Sequence, residues 1–316
     1  MENFFLQIKD IVFRLKLDAE IAVQMLGRVP ALSNSISQSN YNVDVICTKV
    51  EKINFTDDKF LNQQEPDIDN DIFYREIFDV GTFKYYRKQK ILSIFYFYSL
   101  TYPYNCYEAV VDTILQFIYL ILLDYNVVPL HASCVINNNK PILIFGNSGS
   151  GKTTLQLSLL CLGLSFFSDD ICFIDENLLI YNSGEKIISC TQATTNIINS
   201  LFKQNIQGAF INDHHKHVLR ADKMFDDFKI NLQPHIILFP QISDIDDYEM
   251  RLIDKKEAYI RLIQYSISQK FSVNEKIKYF SALKDISNLS TPYIINRGKC
   301  PNTSKFVDIC EKIMCL

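Results

Sequence analysis

The run Gly146-Asn147-Ser148-Gly149-Ser150-Gly151-Lys152-Thr153 satisfies the pattern G-x-x-x-x-G-K-[ST] in full. Glycines at these positions let the backbone curl so that successive N–H groups face one cavity. A helix starting at Lys152 adds the positive end of its dipole to the same place. Such a cavity suits a polyanion. Lys152 brings a mobile positive charge to the β and γ phosphates, and the Thr153 hydroxyl suits the Mg2+ that bridges them. With Thr154 after it, the run supplies the candidate contacts for ATP. A loop of this kind holds the triphosphate equally well in a motor, a switch or a kinase, so its neighbours must decide between them.

Two carboxylates, Asp169 and Asp170, follow the helix that the loop opens, at the start of an apolar stretch. Adjacent carboxylates there can divide two tasks, with Asp169 holding Mg2+ beside Thr153 and its neighbour taking a proton from an incoming hydroxyl, although either could be the base. Read from the residues alone, the pair is also compatible with a plain acidic turn. His131, in Leu130-His131-Ala132-Ser133, falls on the strand before the loop strand, where a lone histidine is commonly a satisfied core residue. Lys216 and Arg220 are candidate contacts to phosphate or substrate, against the alternative of a solvated basic face.

Other groupings carry less. His215 and His217 could face one side of a strand, but they lack a cysteine or carboxylate at metal-site spacing. Asp67, Asp69 and Asp71 imitate the opening of a calcium loop, yet Ile72 stands where the turn glycine belongs and Phe78 where the bidentate glutamate belongs. Asp244, Asp246 and Asp247 read as an exposed loop.

The elements that must position these groups are legible in outline. Asn42 to Cys47, Thr82 to Tyr86 and Ile91 to Tyr98 are rich in aromatic and β-branched residues at strand length, which predicts a β-rich region over residues 1–105. Glu65 to Asp71 reads as a loop. Val110, Ile114, Phe117, Ile118 and Ile121 recur at helical spacing, which predicts a joining helix from Cys106 to about Asp124. From Val127 the pattern predicts an α/β core over residues 106–316. It has a strand Leu130 to Ile136, a turn Asn137 to Lys140, a strand Ile142 to Phe145, the loop, and a helix from Lys152 to about Leu162. A hairpin of Ile171 to Ile174 with Leu178 to Tyr181 comes next, then a strand His235 to Phe239 ended by Pro240, and a helix Lys256 to Ser266.

About half of the 316 residues are apolar, enough for a sizeable core. The net charge of -4 lacks the basic excess that nucleic acid demands. The nine cysteines show no zinc-type spacing, so free buried thiols and a cytoplasmic setting are expected. Ala109 to Leu123 is interrupted by Asp112 and Gln116 and falls short of the roughly 20 residues of a membrane span, so no membrane partner is expected. Homo-oligomerisation stays open.

The succession Leu130-His131-Ala132-Ser133-Cys134-Val135, Ile142-Leu143-Ile144-Phe145 with the glycine loop, and Phe167-Ser168-Asp169-Asp170 resembles the catalytic core of HPr kinase/phosphorylase. It is still more similar to the HPr-kinase-related proteins of peptide-modifying systems, including kinases of lasso peptide precursors. The resemblance implies the mixed sheet shared with ATP-dependent phosphoenolpyruvate carboxykinase, flanked by helices. It implies ATP and Mg2+ as cofactors, and His131, Asp169 and Asp170 around the transferred phosphoryl group, with one aspartate as base. It also implies a serine-type hydroxyl of a peptide or small protein as acceptor. The glycine-rich signature that follows the hairpin in true HPr kinases is missing; Glu185-Lys186-Ile187-Ile188-Ser189-Cys190 stands there instead. The acceptor and any phosphorylase back-reaction therefore stay open. Beside this reading stand a small-molecule kinase acting on a sugar or amino acid hydroxyl, and a nucleotide-binding regulator or ATPase without an acceptor.

Overall fold

The computed structural model describes residues 2–29, 32, 41–49, 72–77, 80–96, 106–203, 206, 210–211, 216–226, 231–243, 247–266, 273–298 and 303–316. The expected loop Glu65 to Asp71, with its acidic triplet, lies outside these, as do His214, His215, Asp244, Asp246 and Cys300. The eight cysteines that are described are all free.

The chain divides into two compact units, Met1–Tyr125 and Asn126–Leu316. The first is a six-stranded mixed sheet with two helices, built in the order β1 (Glu2–Ile8), β2 (Ile11–Leu17), α1 (Ala19–Arg28), β3 (Val43–Lys49), β4 (Ile72–Ile77), β5 (Gly81–Tyr86), β6 (Ile91–Tyr96) and α2 (Cys106–Asp124). Its strands lie in the order β1-β2-β3-β6-β5-β4. Alternate residues of β5 and β6 (Phe83, Tyr85, Leu92, Ile94, Tyr96) are buried, the period-two pattern of a sheet with one covered face. Phe83 stacks on Phe117 of α2, and Arg87 binds Asp124 at its end. Helix α2 therefore belongs to the first unit, so the compact units part after Tyr125 and not near residue 105. By length and composition α2 could cross a membrane, but most of its side chains are buried.

The second unit continues with β7 (Val128–Leu130), β8 (Ala132–Asn137), β9 (Lys140–Phe145), α3 (Lys152–Cys161), β10 (Ser165–Ser168), β11 (Cys172–Ile174), β12 (Ile180–Asn182), β13 (Ile187–Cys190) and α4 (Gln192–Phe202). After these come β14 (Phe210–Ile211), β15 (His217–Arg220), α5 (Ala221–Met224), β16 (Ile236–Ile242), β17 (Tyr248–Leu252), α6 (Lys255–Gln264), α7 (Val273–Leu289), β18 (Thr291–Arg297) and α8 (Thr303–Met314). Its main sheet runs β10-β8-β9-β16-β18-β17. Pairing is parallel across β9, β16 and β18 and antiparallel at both sides, which makes it the mixed sheet expected. Strands β8, β9 and β16 are almost wholly apolar because both faces are covered. Ile142, Ile144 and Leu238 face a core shared with Leu155 and Leu159 of α3 and with Phe306 and Ile309 of α8. Phe145 and Phe239, at the alternate positions, meet each other, and Phe239 also meets Tyr265 at the end of α6.

Two expected strands change on folding. The run Leu130 to Ile136 is two strands, β7 and β8, interrupted at His131. Strand β16 does not stop at Pro240 but continues to Ile242. Its pairing with β9 ends at Leu238 whereas that with β18 goes on, so a residue without an N–H fits on the open side.

Candidate active site

Gly146 follows β9 at the carboxyl end of the parallel strands, where α/β sheets place their ligands. A Cβ on Gly146 would lie 2.5 Å from Ser150 Oγ and 3.3 Å from the Pro240 carbonyl oxygen, so a larger residue would force the Ser150 hydroxyl to turn and would crowd the loop. Gly151, at φ 102°, is the residue from which α3 starts, and its carbonyl accepts the first helical bond from the Leu155 N–H at 2.9 Å. Asn147, Ser148 and Gly149 are exposed, which leaves the cradle open to solvent. Ser150 Oγ, packed beside Gly146, is buried with no hydrogen-bond partner among the described residues.

Helix α3 is buried nearly all round and ends in a Schellman arrangement: Gly163 at φ 101°, with its N–H on the Leu160 carbonyl and the Leu164 N–H on the Leu159 carbonyl. This fixed end turns the chain back into β10, which pairs with β8. At Asp169 the chain leaves the main sheet and enters a small one, β12-β11-β7. The opposite crossing, from β7 to β8, happens at His131. The registers bracket both breaks, with Cys172 opposite Leu130 on one side and Ser168 opposite Cys134 on the other. The histidine and the two aspartates therefore meet in the seam between two sheets. A continuous strand at residue 131 would not have left this gap.

The turn itself is tight. The Ile171 N–H donates to the Asp169 carbonyl at 2.6 Å across Asp170, which stands at φ 59°. A three-residue turn with a left-handed centre is uncommon and strained, and aspartate tolerates that backbone better than most residues. The turn sends its two carboxylates to different partners. Asp170 Oδ1 lies 3.3 Å from His131 Nε2, with its side chain 69% exposed. Asp169 accepts from Ser133 Oγ and from the Ser189 N–H, each at 3.3 Å.

Their acidities separate accordingly. The hydrogen bond from His131 holds the Asp170 carboxyl below the usual carboxylate range, and the charges of His131, Lys152 and Lys216 add to this, softened by solvent. Asp169 keeps part of its surface in contact with solvent, but protein packs closely about its carboxyl. That burial, with the neighbouring charge of Asp170, pushes it up to about 8. Lys152 is buried, donates to the Gly146 carbonyl at 2.6 Å, and is lowered by burial against the opposing pull of Asp170 and Asp169.

His131, Lys152, Asp169 and Asp170 are thus brought into one electrostatic cluster, with Thr153 half-buried at the first turn of α3. Thr154 turns its hydroxyl to Thr194 of α4 at 3.3 Å. Lys216 lies near enough to bias Lys152 and Asp170. Arg220 does not join them, since its guanidinium binds Asp222 through two bonds of 3.0 and 2.9 Å. The sequence does not mark Ser133 and Ser189 as site residues. Ser133 is two positions from His131 on the same run, while nothing in the sequence joins the amide of Ser189 to a carboxylate twenty positions away.

The donors fit a nucleotide with its metal. Hard oxygens from Thr153 and one aspartate suffice for Mg2+, which takes its remaining ligands from phosphate and water. The open loop, its buried hydroxyl and the Lys152 ammonium suit the phosphates.

No protein-family model matches the chain, and no curated protein matches it in sequence. Among solved structures it is similar to the HPr(Ser) kinase/phosphatase from Coxiella burnetii, at 18% identity and a TM-score of 0.23, over 40% of this chain and 72% of that one. An overlap so shallow decides neither fold nor chemistry, which rest on this chain's own strands and side chains.

Proposed function

We propose that this chain is an ATP-dependent phosphotransferase that moves the γ-phosphoryl group to a serine-type hydroxyl of a peptide or small protein. The observation that carries the reading is the convergence of the Lys152 ammonium, at the mouth of a glycine-rich anion cradle, with the His131–Asp170 pair and Asp169. A cradle alone holds a triphosphate. Carboxylates facing it add a place for a proton to go.

In this reading, the N–H groups of the P-loop from Gly146 to Gly151 and the Lys152 ammonium orient the β and γ phosphates. Thr153 and Asp169 would hold Mg2+, which would supply charge neutralisation on the phosphate oxygens. Asp170, ionised and exposed beside His131, accepts the proton of the incoming hydroxyl. The hydroxyl oxygen forms a bond to the γ phosphorus while the bond from that phosphorus to the bridging β–γ oxygen breaks, and ADP leaves with the electron pair. Ser133 and the Ser189 N–H keep Asp169 turned to its task, and Lys216 adds positive charge near the developing one.

Incubation with γ-labelled ATP, Mg2+ and a cell extract, followed by separation of macromolecular from small-molecule label, tests the proposal. Label on a polypeptide, lost with Asp170→Asn, is expected. Label on a small molecule changes the acceptor class to a sugar or amino acid. Release of free phosphate alone, at a rate indifferent to Asp170→Asn, makes the chain an ATPase.

A further inference from the structure

Helix α3 buries an amide side chain among its leucines. Gln156 stands one helical turn after Lys152, is 0% exposed, and donates through Nε2 to the Ser168 carbonyl at 2.9 Å. Its Oε1 is buried and has no hydrogen-bond partner among the described residues. An unsatisfied buried acceptor is destabilising and the Nε2 bond offsets it only in part, whereas a methionine or leucine of similar volume would fill the space without an orphaned oxygen. For stability alone, a glutamine is therefore a poor choice here.

Its placement gives it another use. Ser168 is the last residue of β10, immediately before the two aspartates, and its own side chain is committed to the turn, Ser168 Oγ donating to the Ile171 carbonyl. The Gln156 amide thus grips the backbone at the entry to the Asp169–Asp170 turn from the same helix that carries Lys152 and Thr153. We propose that Gln156 is a positioning residue that locks the carboxylate turn to the nucleotide-binding helix, so that the two halves of the site keep a fixed separation. This rests on the phosphotransferase reading for its consequence in catalysis. The mechanical link can be measured without it.

Gln156→Met removes the donor and keeps the volume. Thermal unfolding is expected within a few degrees of wild type, because losing the orphaned Oε1 offsets leaving the Ser168 carbonyl without its donor, and ATP affinity within about threefold, because the phosphate cradle is untouched. The single-turnover transfer rate should fall at least about tenfold, since misplacement of a reacting group by an ångström or less is expensive. Amide hydrogen exchange at Ile171, whose N–H closes the turn, should accelerate at least about tenfold while the amides of α3 keep their protection. Unchanged exchange at Ile171 overturns the proposal and leaves Gln156 as a volume filler. Gln156→Leu repeats the test, and failure of both variants to fold also counts against it, because a positioning role leaves the fold intact. Should wild type transfer no phosphoryl group at all, the functional reading falls on its own, and the exchange at Ile171 still decides what Gln156 does.

Discussion

The ammonium group of Lys152 donates to the carbonyl oxygen of Gly146 at 2.6 Å, so the lysine folds back over the loop that it ends. In the free protein this bond keeps a buried charge satisfied, and ATP must exchange it for phosphate oxygens. Lys152→Ala removes the charge while the glycine backbone persists. ATP affinity is expected to fall at least about tenfold and the transfer rate by about a thousandfold, measured by calorimetry and by single-turnover assays.

The two aspartates are expected to behave differently from the lysine. Asp170→Asn keeps shape and loses the proton acceptor, so transfer should drop by about a hundredfold or more while ATP affinity changes only a few-fold. Asp169→Asn should also abolish transfer, with a larger effect on the Mg2+ concentration required. A loss of ATP affinity in both variants equal to the loss of rate would remove their catalytic role.

Asp169 also writes a pH dependence into stability. Its folded pKa, about 8, exceeds the unfolded carboxylate value near 4, so the native state binds the proton more tightly between the two. The stabilisation is complete below the lower value and disappears as pH rises through the upper one. In metal-free protein, wild type should therefore lose stability relative to Asp169→Asn between about pH 4 and pH 8. Partial exposure limits the change to about 1–2 kcal/mol. Denaturant unfolding of both proteins at several pH values checks it, and parallel profiles would contradict the raised acidity.

Much of this site was legible before folding, and the rest was hidden for identifiable reasons. The strand, glycine loop and helix from Lys140 to Cys161 could be read because each signal is local: an apolar run, glycines that need unusual backbone, and a lysine and threonine opening a helix. The hairpin of β11 and β12 was equally local. His131 could be named but not placed, because the interruption between β7 and β8 exists only where Leu130 pairs with β11 and Cys134 with β10. Pro240 looked like a stop because the sequence cannot tell that β9 has already ended on that side. Arg220 looked like a free cation until Asp222 bound it. Gln156 carries no local signal at all, since a buried amide acquires meaning only from the distant carbonyl that it meets.

Phosphoryl transfer here requires a triphosphate lying in the Gly146–Gly151 loop with its outer phosphoryl group turned to the seam between the two sheets. A crystal structure of the protein with Mg2+ and a non-hydrolysable ATP analogue measures this directly. The expected result has the β and γ phosphates on the loop amides and Lys152, and the γ-phosphoryl group facing Asp169, Asp170 and His131. A nucleotide bound elsewhere, or a γ-phosphoryl group pointing away from all three side chains, would contradict it.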